Sequence, residues 1–273
     1  MKTIKLLDGS EASIDFLKEK ARDDEYYYNY LGKVAFSSTI VKTLLNSPKQ
    51  YYYLTKYGSS NETSSLALGK IIHAKALTPE LYEEQFQVVD VASKNTKAYK
   101  EAKANTTKHC LTRTEESQAD RVVDALLKND AFIQRLYGST PEEPAIGEIM
   151  GYPFRGKADI LRKSYLAGDK LYDLKTTTDL RAFPYSAKKY GYDIQAYIYC
   201  TLFNVHYDDF EFVVIDKSSL DLGIYKVSEE FYEQGRLKVE EALDMYTSFF
   251  AGKTQEEIQN SINDYYITGL LWY

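Results

Sequence analysis

Residues 145–177, AIGEIMGYPFRGKADILRKSYLAGDKLYDLKTT, break the periodicity of everything that precedes them. Upstream, apolar residues recur at the three- and four-residue intervals of helices. Here they alternate in short runs, which reads as strand, strand, turn, strand, with Ala167-Gly168-Asp169 as the turn. Alternate residues of a strand share a face, so Asp173 and Lys175 point one way and Leu174 the other. Asp159 lies on the strand before the turn and Asp173 on the strand after it. A chain with helices first, strands in the middle and helices last belongs to the α/β class, with a small mixed central sheet of three or four strands flanked by helices.

The flanks carry explicit helix signals. Ser37 and Ser38 can cap a helix through Leu45, whose apolar face is Ile40, Val41, Leu44 and Leu45, and which stops before Pro48. A second helix, SSLALGKIIHAKAL, runs from about Ser64 to Leu77 and stops before Pro79. A third is expected from about Thr114 to Leu136, with Val122, Val123, Leu126, Leu127 and Ile133 as its apolar positions. Beyond the central strands come a helix from about Tyr192 to Leu202, a strand over DFEFVVIDK and a helix from about Glu229 to Phe250. A last short helix opens on a Thr254…Glu257 capping box. There is no internal repeat or low-complexity linker. A single domain over 1–273 is expected: a mainly helical part over 1–140, a catalytic core over 145–217 and C-terminal helices over 228–273.

A chain of 273 residues can bury a substantial core. No apolar run approaches the roughly 20 residues of a membrane helix, and MKTIKLLDGSEASIDF meets acidic residues too early for a signal peptide. The expected location is the cytoplasm. Cys110 and Cys200 lie far apart and form no CxxC, so neither structural zinc nor an iron–sulphur cluster is indicated. The net charge of −6 runs against a generally basic nucleic-acid binder, but recognition depends on local patches. KNTKAYKEAKANTTKH supplies one: on a helix, Lys94, Lys97, Lys100 and Lys103 form a slanted stripe able to neutralise phosphates. Arg162, Lys163, Lys188 and Lys189 add positive charge around the central strands.

Two carboxylates on neighbouring strands, with a lysine two residues after the second, meet the needs of phosphodiester hydrolysis. That reaction uses a divalent metal to bind the phosphate, lower the pKa of a water and stabilise the leaving oxygen. Mg²⁺ takes oxygen ligands, usually one or two carboxylates with substrate and water completing the shell. Asp159 and Asp173 can be those carboxylates, and Lys175 on the same face can orient the attacking water and offset transition-state charge.

GKADILRKSYLAGDKLYDLKTT resembles the PD-(D/E)XK nuclease core, with Asp159 as the first acidic residue and Asp173-Leu174-Lys175 as the (D/E)XK element. SSTIVKTLLNSPKQYYY resembles the N-terminal helix of RecE-like and RecB-like exonucleases. LALGKIIHAKALTPELYEEQF resembles their Gly-x-x-x-His helix, and YGYDIQAYIYC their Gln-x-x-x-Tyr helix. These four elements occur in order over about residues 36 to 217. The resemblance implies that His73 completes a metal site with Asp159 and Asp173, that the Leu174 carbonyl adds a ligand, and that Gln195 and Tyr199 support substrate or catalytic groups. Glu148 stands where this group often carries an acidic residue, as a candidate second-metal ligand.

The activity so implied is a Mg²⁺-dependent exonuclease, with Mn²⁺ as a substitute, acting 5′ to 3′ on duplex DNA to leave 3′ overhangs in recombination or phage DNA metabolism. A single-strand annealing protein as partner and a homo-oligomeric ring are further implications of the RecE likeness. The alternatives are a single-strand exonuclease or structure-specific endonuclease of the same superfamily, and a non-catalytic DNA-binding protein on this fold. Histidines 109 and 206 have no matching context.

Overall fold

The computed structural model describes residues 2–58 and 64–269. A small hairpin of β1 (Thr3–Lys5) and β2 (Glu11–Ser13) leads into α1 (Ile14–Lys20), a π-helical turn over Tyr26–Tyr30, and α2 (Leu31–Val34). Next come α3 (Ser38–Asn46), α4 (Pro48–Tyr57), α5 (Ser64–Leu77), α6 (Pro79–Gln85), β3 (Phe86–Val89), α7 (Lys97–Ala104), β4 (His109–Thr112), α8 (Arg113–Leu127) and α9 (Asp130–Leu136). The central sheet then begins, with β5 (Thr140–Ile149), β6 (Tyr152–Arg162) and β7 (Lys170–Thr177). After α10 (Phe183–Lys189) and α11 (Tyr192–Phe203), β8 (Phe210–Asp216) and β9 (Leu222–Lys226) complete it. The chain closes with α12 (Glu229–Phe249) and α13 (Gln255–Asn263).

The sheet has five strands in the order β5-β6-β7-β8-β9, more than the three or four expected. Only β7–β8 is parallel, and α10 and α11 supply the crossover such a pair needs. One face packs Ile160, Tyr172, Leu174, Val213 and Ile215 against Ile71 and Ile72 of α5 and Val122 and Leu126 of α8. The other packs Leu171, Phe212 and Val214 against Phe183, Ala196 and Cys200.

Local capping explains where the helices differ from expectation. The helix expected over Thr114–Leu136 is two helices: Asn129 accepts a hydrogen bond from the Ala131 N–H at 3.0 Å and starts α9 afresh. Pro48 ends α3 as expected and also begins α4, because proline at the first helical position has no N–H to satisfy. Ser47, between the two helices, caps α4 by accepting from Lys49 N–H at 3.2 Å. The lysine stripe is shorter than predicted. Thr96 caps α7, so Lys94 precedes the helix and pairs with Glu115 at 2.7 Å. The Thr254–Glu257 capping box is present.

α11 and α12 cross so closely that a Cβ on Gly235 would lie 2.1 Å from the Asp193 carbonyl oxygen and 2.5 Å from its carbon. Propensity alone would have Gly235→Ala stabilise α12 by up to about 1 kcal/mol. The contact reverses the sign, because the obstructing atoms are backbone. Gly235→Ala is expected to lower stability by about 3 kcal/mol, at the upper end of overpacking costs, as measured by urea unfolding. A neutral or stabilising result would mean that the two helices can separate freely.

Candidate metal centre and active site

β7 aims Asp173 and Lys175 at the α11 side of the sheet. Asp173 is 1% exposed. Its Oδ1 accepts from Gln195 Nε2 at 2.5 Å, and its Oδ2 faces Lys175 Nζ as an ion pair. Burial drives the Asp173 carboxyl above the usual carboxylate range; Lys175 opposes that and Asp159 reinforces it. Burial works against the Lys175 ammonium, but Asp173 and Asp159 outweigh it and hold its pKa above the ordinary lysine value. Lys175 is therefore a protonated, positioned cation in the resting protein.

The antiparallel β6–β7 ladder runs Arg162↔Lys170, Leu161↔Leu171, Ile160↔Tyr172 and stops. One more step would set Asp159 opposite Asp173. Here Leu174 donates its N–H to Asp159 Oδ2 at 2.8 Å. Across the other edge of β6 the ladder pairs Pro141↔Ile160 and Glu143↔Ala158 but omits the pair between them, Glu142 and Asp159. Glu142 adopts a left-handed φ of +49°, uncommon for a side-chain-bearing residue within a strand. Three carboxylates thus fall in one row across three adjacent strands, where directly opposed like charges destabilise a sheet.

α5 brings His73 to this row, its Nδ1 3.5 Å from Asp159 Oδ2. His73, Glu142 and Asp159 offer ligand atoms that all lie within 4.8 Å of one another. One imidazole and two carboxylates suit a divalent cation of the Mg²⁺ to Mn²⁺ type, the nitrogen favouring the transition metal. Burial first and Asp159 second push the Glu142 pKa up to about 8, against the opposing pull of the Lys157 cation.

Other expected residues fall differently. Glu148 is exposed and opposite Pro153, six residues along β5 from Glu142. Tyr199 packs against β6: a Cβ on Gly156 would come within 3.0 Å of its ring, and burial holds its hydroxyl well above the ordinary tyrosine pKa. Arg162 donates to the Gln134 carbonyl at 3.0 Å. Lys163, and Lys188 and Lys189 in the last turn of α10, are exposed. Lys97 pairs with Glu101 at 3.6 Å, while Lys100 and Lys103 lie exposed on α7. Glu142 was not among the residues expected from the sequence. Its signal was the turn at Met150 and Gly151, with φ of +52° and +81°: counting outward from a two-residue hairpin turn sets 142 opposite 159.

A family profile described as "PDDEXK-like domain of unknown function (DUF3799)" matches residues 37–261. The crystal structure of a protein from Eubacterium rectale, provisionally described as an exonuclease, superposes with a TM-score of 0.59. It is 16% identical, over 92% of this chain and 95% of its own. A solved structure of SSO0001 is 14% identical over 77% of this chain and 86% of its own, with a TM-score of 0.33, too low to bear on the fold. No curated protein matches the sequence. No helix among the described residues is long and apolar enough to cross a membrane.

A carboxyl group whose pKa is raised on folding favours the folded state below its unfolded value, near 4.5, and loses that contribution as pH climbs through about 8. Glu142→Gln should therefore raise the melting temperature of the metal-free protein at pH 8.5 relative to wild type. The gain should vanish near pH 4.5. In Mn²⁺ the order should reverse, because a ligand that binds only the folded state stabilises it. A variant whose Mn²⁺-induced shift equals that of wild type would remove Glu142 from the metal centre.

Proposed function

We propose that this chain, which belongs to the PDDEXK-like family matched over residues 37–261, is a divalent-metal-dependent deoxyribonuclease. The observation that carries the reading is the carboxylate row with His73 at one side and the buried Asp173–Lys175 pair at the other. His73, Glu142 and Asp159 would hold the metal, with Asp173 and the Leu174 carbonyl adjoining. The ion, when bound, would polarise the phosphate and acidify a water. Lys175, kept protonated by Asp173, would orient the attacking water and offset charge developing on the phosphate. Gln195 would fix the Asp173 carboxylate, leaving Oδ2 to Lys175 and the reaction space.

The finer reading is an exonuclease that works 5′ to 3′ on duplex DNA, with Mg²⁺ or Mn²⁺, in recombination or phage DNA metabolism. The likeness of four sequence elements to RecE-like enzymes supports that direction, and with it an annealing partner and a ring assembly. Duplexes labelled at the 5′ or 3′ end, single strands and closed circles, each with and without Mg²⁺ or Mn²⁺, separate the possibilities. Metal-dependent release of the 5′ label from duplex, with circles intact, is expected; cut circles would make the enzyme an endonuclease.

Asp173→Ala and Lys175→Ala should each lower single-turnover cleavage at least about 100-fold, the usual cost of losing a group that stabilises charge in the transition state. Circular dichroism should stay at wild-type values. Either folded variant retaining more than about a tenth of the rate would be inconsistent with the assigned role.

A further inference from the structure

We propose that Lys42 is a second phosphate-binding cation of this site, taking a non-bridging oxygen of the bound DNA strand beside the one served by Lys175. The proposal rests on the nuclease reading for its substrate and on independent geometry for its residue. Lys42 projects from α3, is half-buried, and forms no hydrogen bond or ion pair among the described residues. Its ammonium stands 5.8 Å from the centroid of the Tyr192 ring, and that of Lys175 stands 5.0 Å from the same ring. Two lysines thus meet one aromatic ring, one from the sheet and one from a helix.

The path of the side chain is built in. A Cβ on Gly191 would lie 2.9 Å from Lys42 Cδ and 3.1 Å from Cγ. Gly191 sits at the N-cap of α11 with φ +63°, so this position needs a glycine for its backbone as well as for the lysine stem. The nearby anions are already engaged. Asp193 pairs with Lys238 at 2.5 Å, and Asp173 holds Lys175 and Gln195. Burial, then the Lys175 cation, push the Lys42 pKa down to about 8, although Asp173 and Asp193 draw it upward.

A lysine removed from water without a counterion is unfavourable. One that converges on a candidate active site is what an anionic substrate would satisfy. The ligand class follows from the chemistry: an oxyanion bearing more than one acceptor, such as a phosphodiester, offered to two ammonium groups that both approach the Tyr192 ring. Lys42 acts by gripping and placing the strand, leaving the water to Lys175.

The test uses the full chain with Lys42→Met, which keeps the length of the stem, and Lys42→Arg, which keeps the charge. Melting temperature, affinity for a labelled 5′-phosphorylated duplex in Ca²⁺ across a salt series, and single-turnover cleavage in Mg²⁺ are measured. Lys42→Met should melt at or above the wild-type temperature. Its plot of log affinity against log salt should be shallower by roughly 0.7 to 0.9, one phosphate contact, and cleavage of bound DNA should fall about 10-fold or more. Lys42→Arg should restore most of both. An unchanged slope in Lys42→Met overturns the proposal, as does a fall in melting temperature shared by both variants, which would make Lys42 a packing residue. If wild type binds DNA but cleaves no substrate, the nuclease reading fails while the slope still decides the role of Lys42. If wild type binds no DNA, the Lys42 assignment falls.

Discussion

Repulsion among Glu142, Asp159 and Asp173 is the constraint around which the centre of this molecule is arranged. Unit charges about 4 to 5 Å apart at a partly buried site interact by several kcal/mol at an intermediate effective dielectric, and a regular sheet would hold all three in register. Instead, both ladders that flank β6 are interrupted at that row. A backbone donor that would otherwise serve the ladder, the Leu174 N–H, serves the Asp159 carboxylate. Lys175 and Gln195 engage Asp173 from the α11 side, and His73 approaches Asp159 from α5. β6 also changes phase here. Ala158 and Leu161 both belong to the cluster on the α11 side, although three residues of strict alternation would put them on opposite faces. The slip makes Asp159 the point that helices from both faces can reach.

Much of this was legible because the signals are local. The switch from helical to alternating periodicity marked β6 and β7, and placed Asp173 and Lys175 on one face. Serine and proline punctuation located α3 and α5, and the Thr254…Glu257 pair marked α13. What escaped depends on partners distant in sequence. Glu142 lies in a Pro-Glu-Glu-Pro segment that carries no strand pattern, and only the hairpin register joins it to Asp159. Lys42 reads as one polar position on an amphipathic helix, and its environment is created by Gly191, some 150 residues later. The split between α8 and α9 was decided by one asparagine side chain competing for a backbone donor, which apolar periodicity does not register.

The two helices that matter most to the site are held by unlike means. α5 is anchored by apolar packing, with Ile71 and Ile72 fully buried beside His73, so the histidine is placed by its neighbours' burial. α11 is anchored by backbone contact with Gly235 and by the Asp193–Lys238 pair. Gln195 therefore sits on a rigidly seated turn, suited to holding a carboxylate in one orientation.

Residues 2–36 lie outside the matched family region, yet they are fastened to the strands that carry the carboxylate row. Lys18 and Arg22 reach Glu143 at 3.2 and 2.9 Å, and Asp24 reaches Lys157 at 2.5 Å. Glu143 and Lys157 are 4% and 8% exposed, and Arg155 stacks at 4.3 Å on Tyr27. A chain cut at the edge of the family match would take away the ion-pair partners of Glu143 and Lys157 and uncover the strands beside Glu142 and Asp159. The boundary drawn by sequence kinship and the boundary of cooperative folding are consequently different lines. Divergence in the leading segment can retune the electrostatics of the centre without altering any residue inside the shared region.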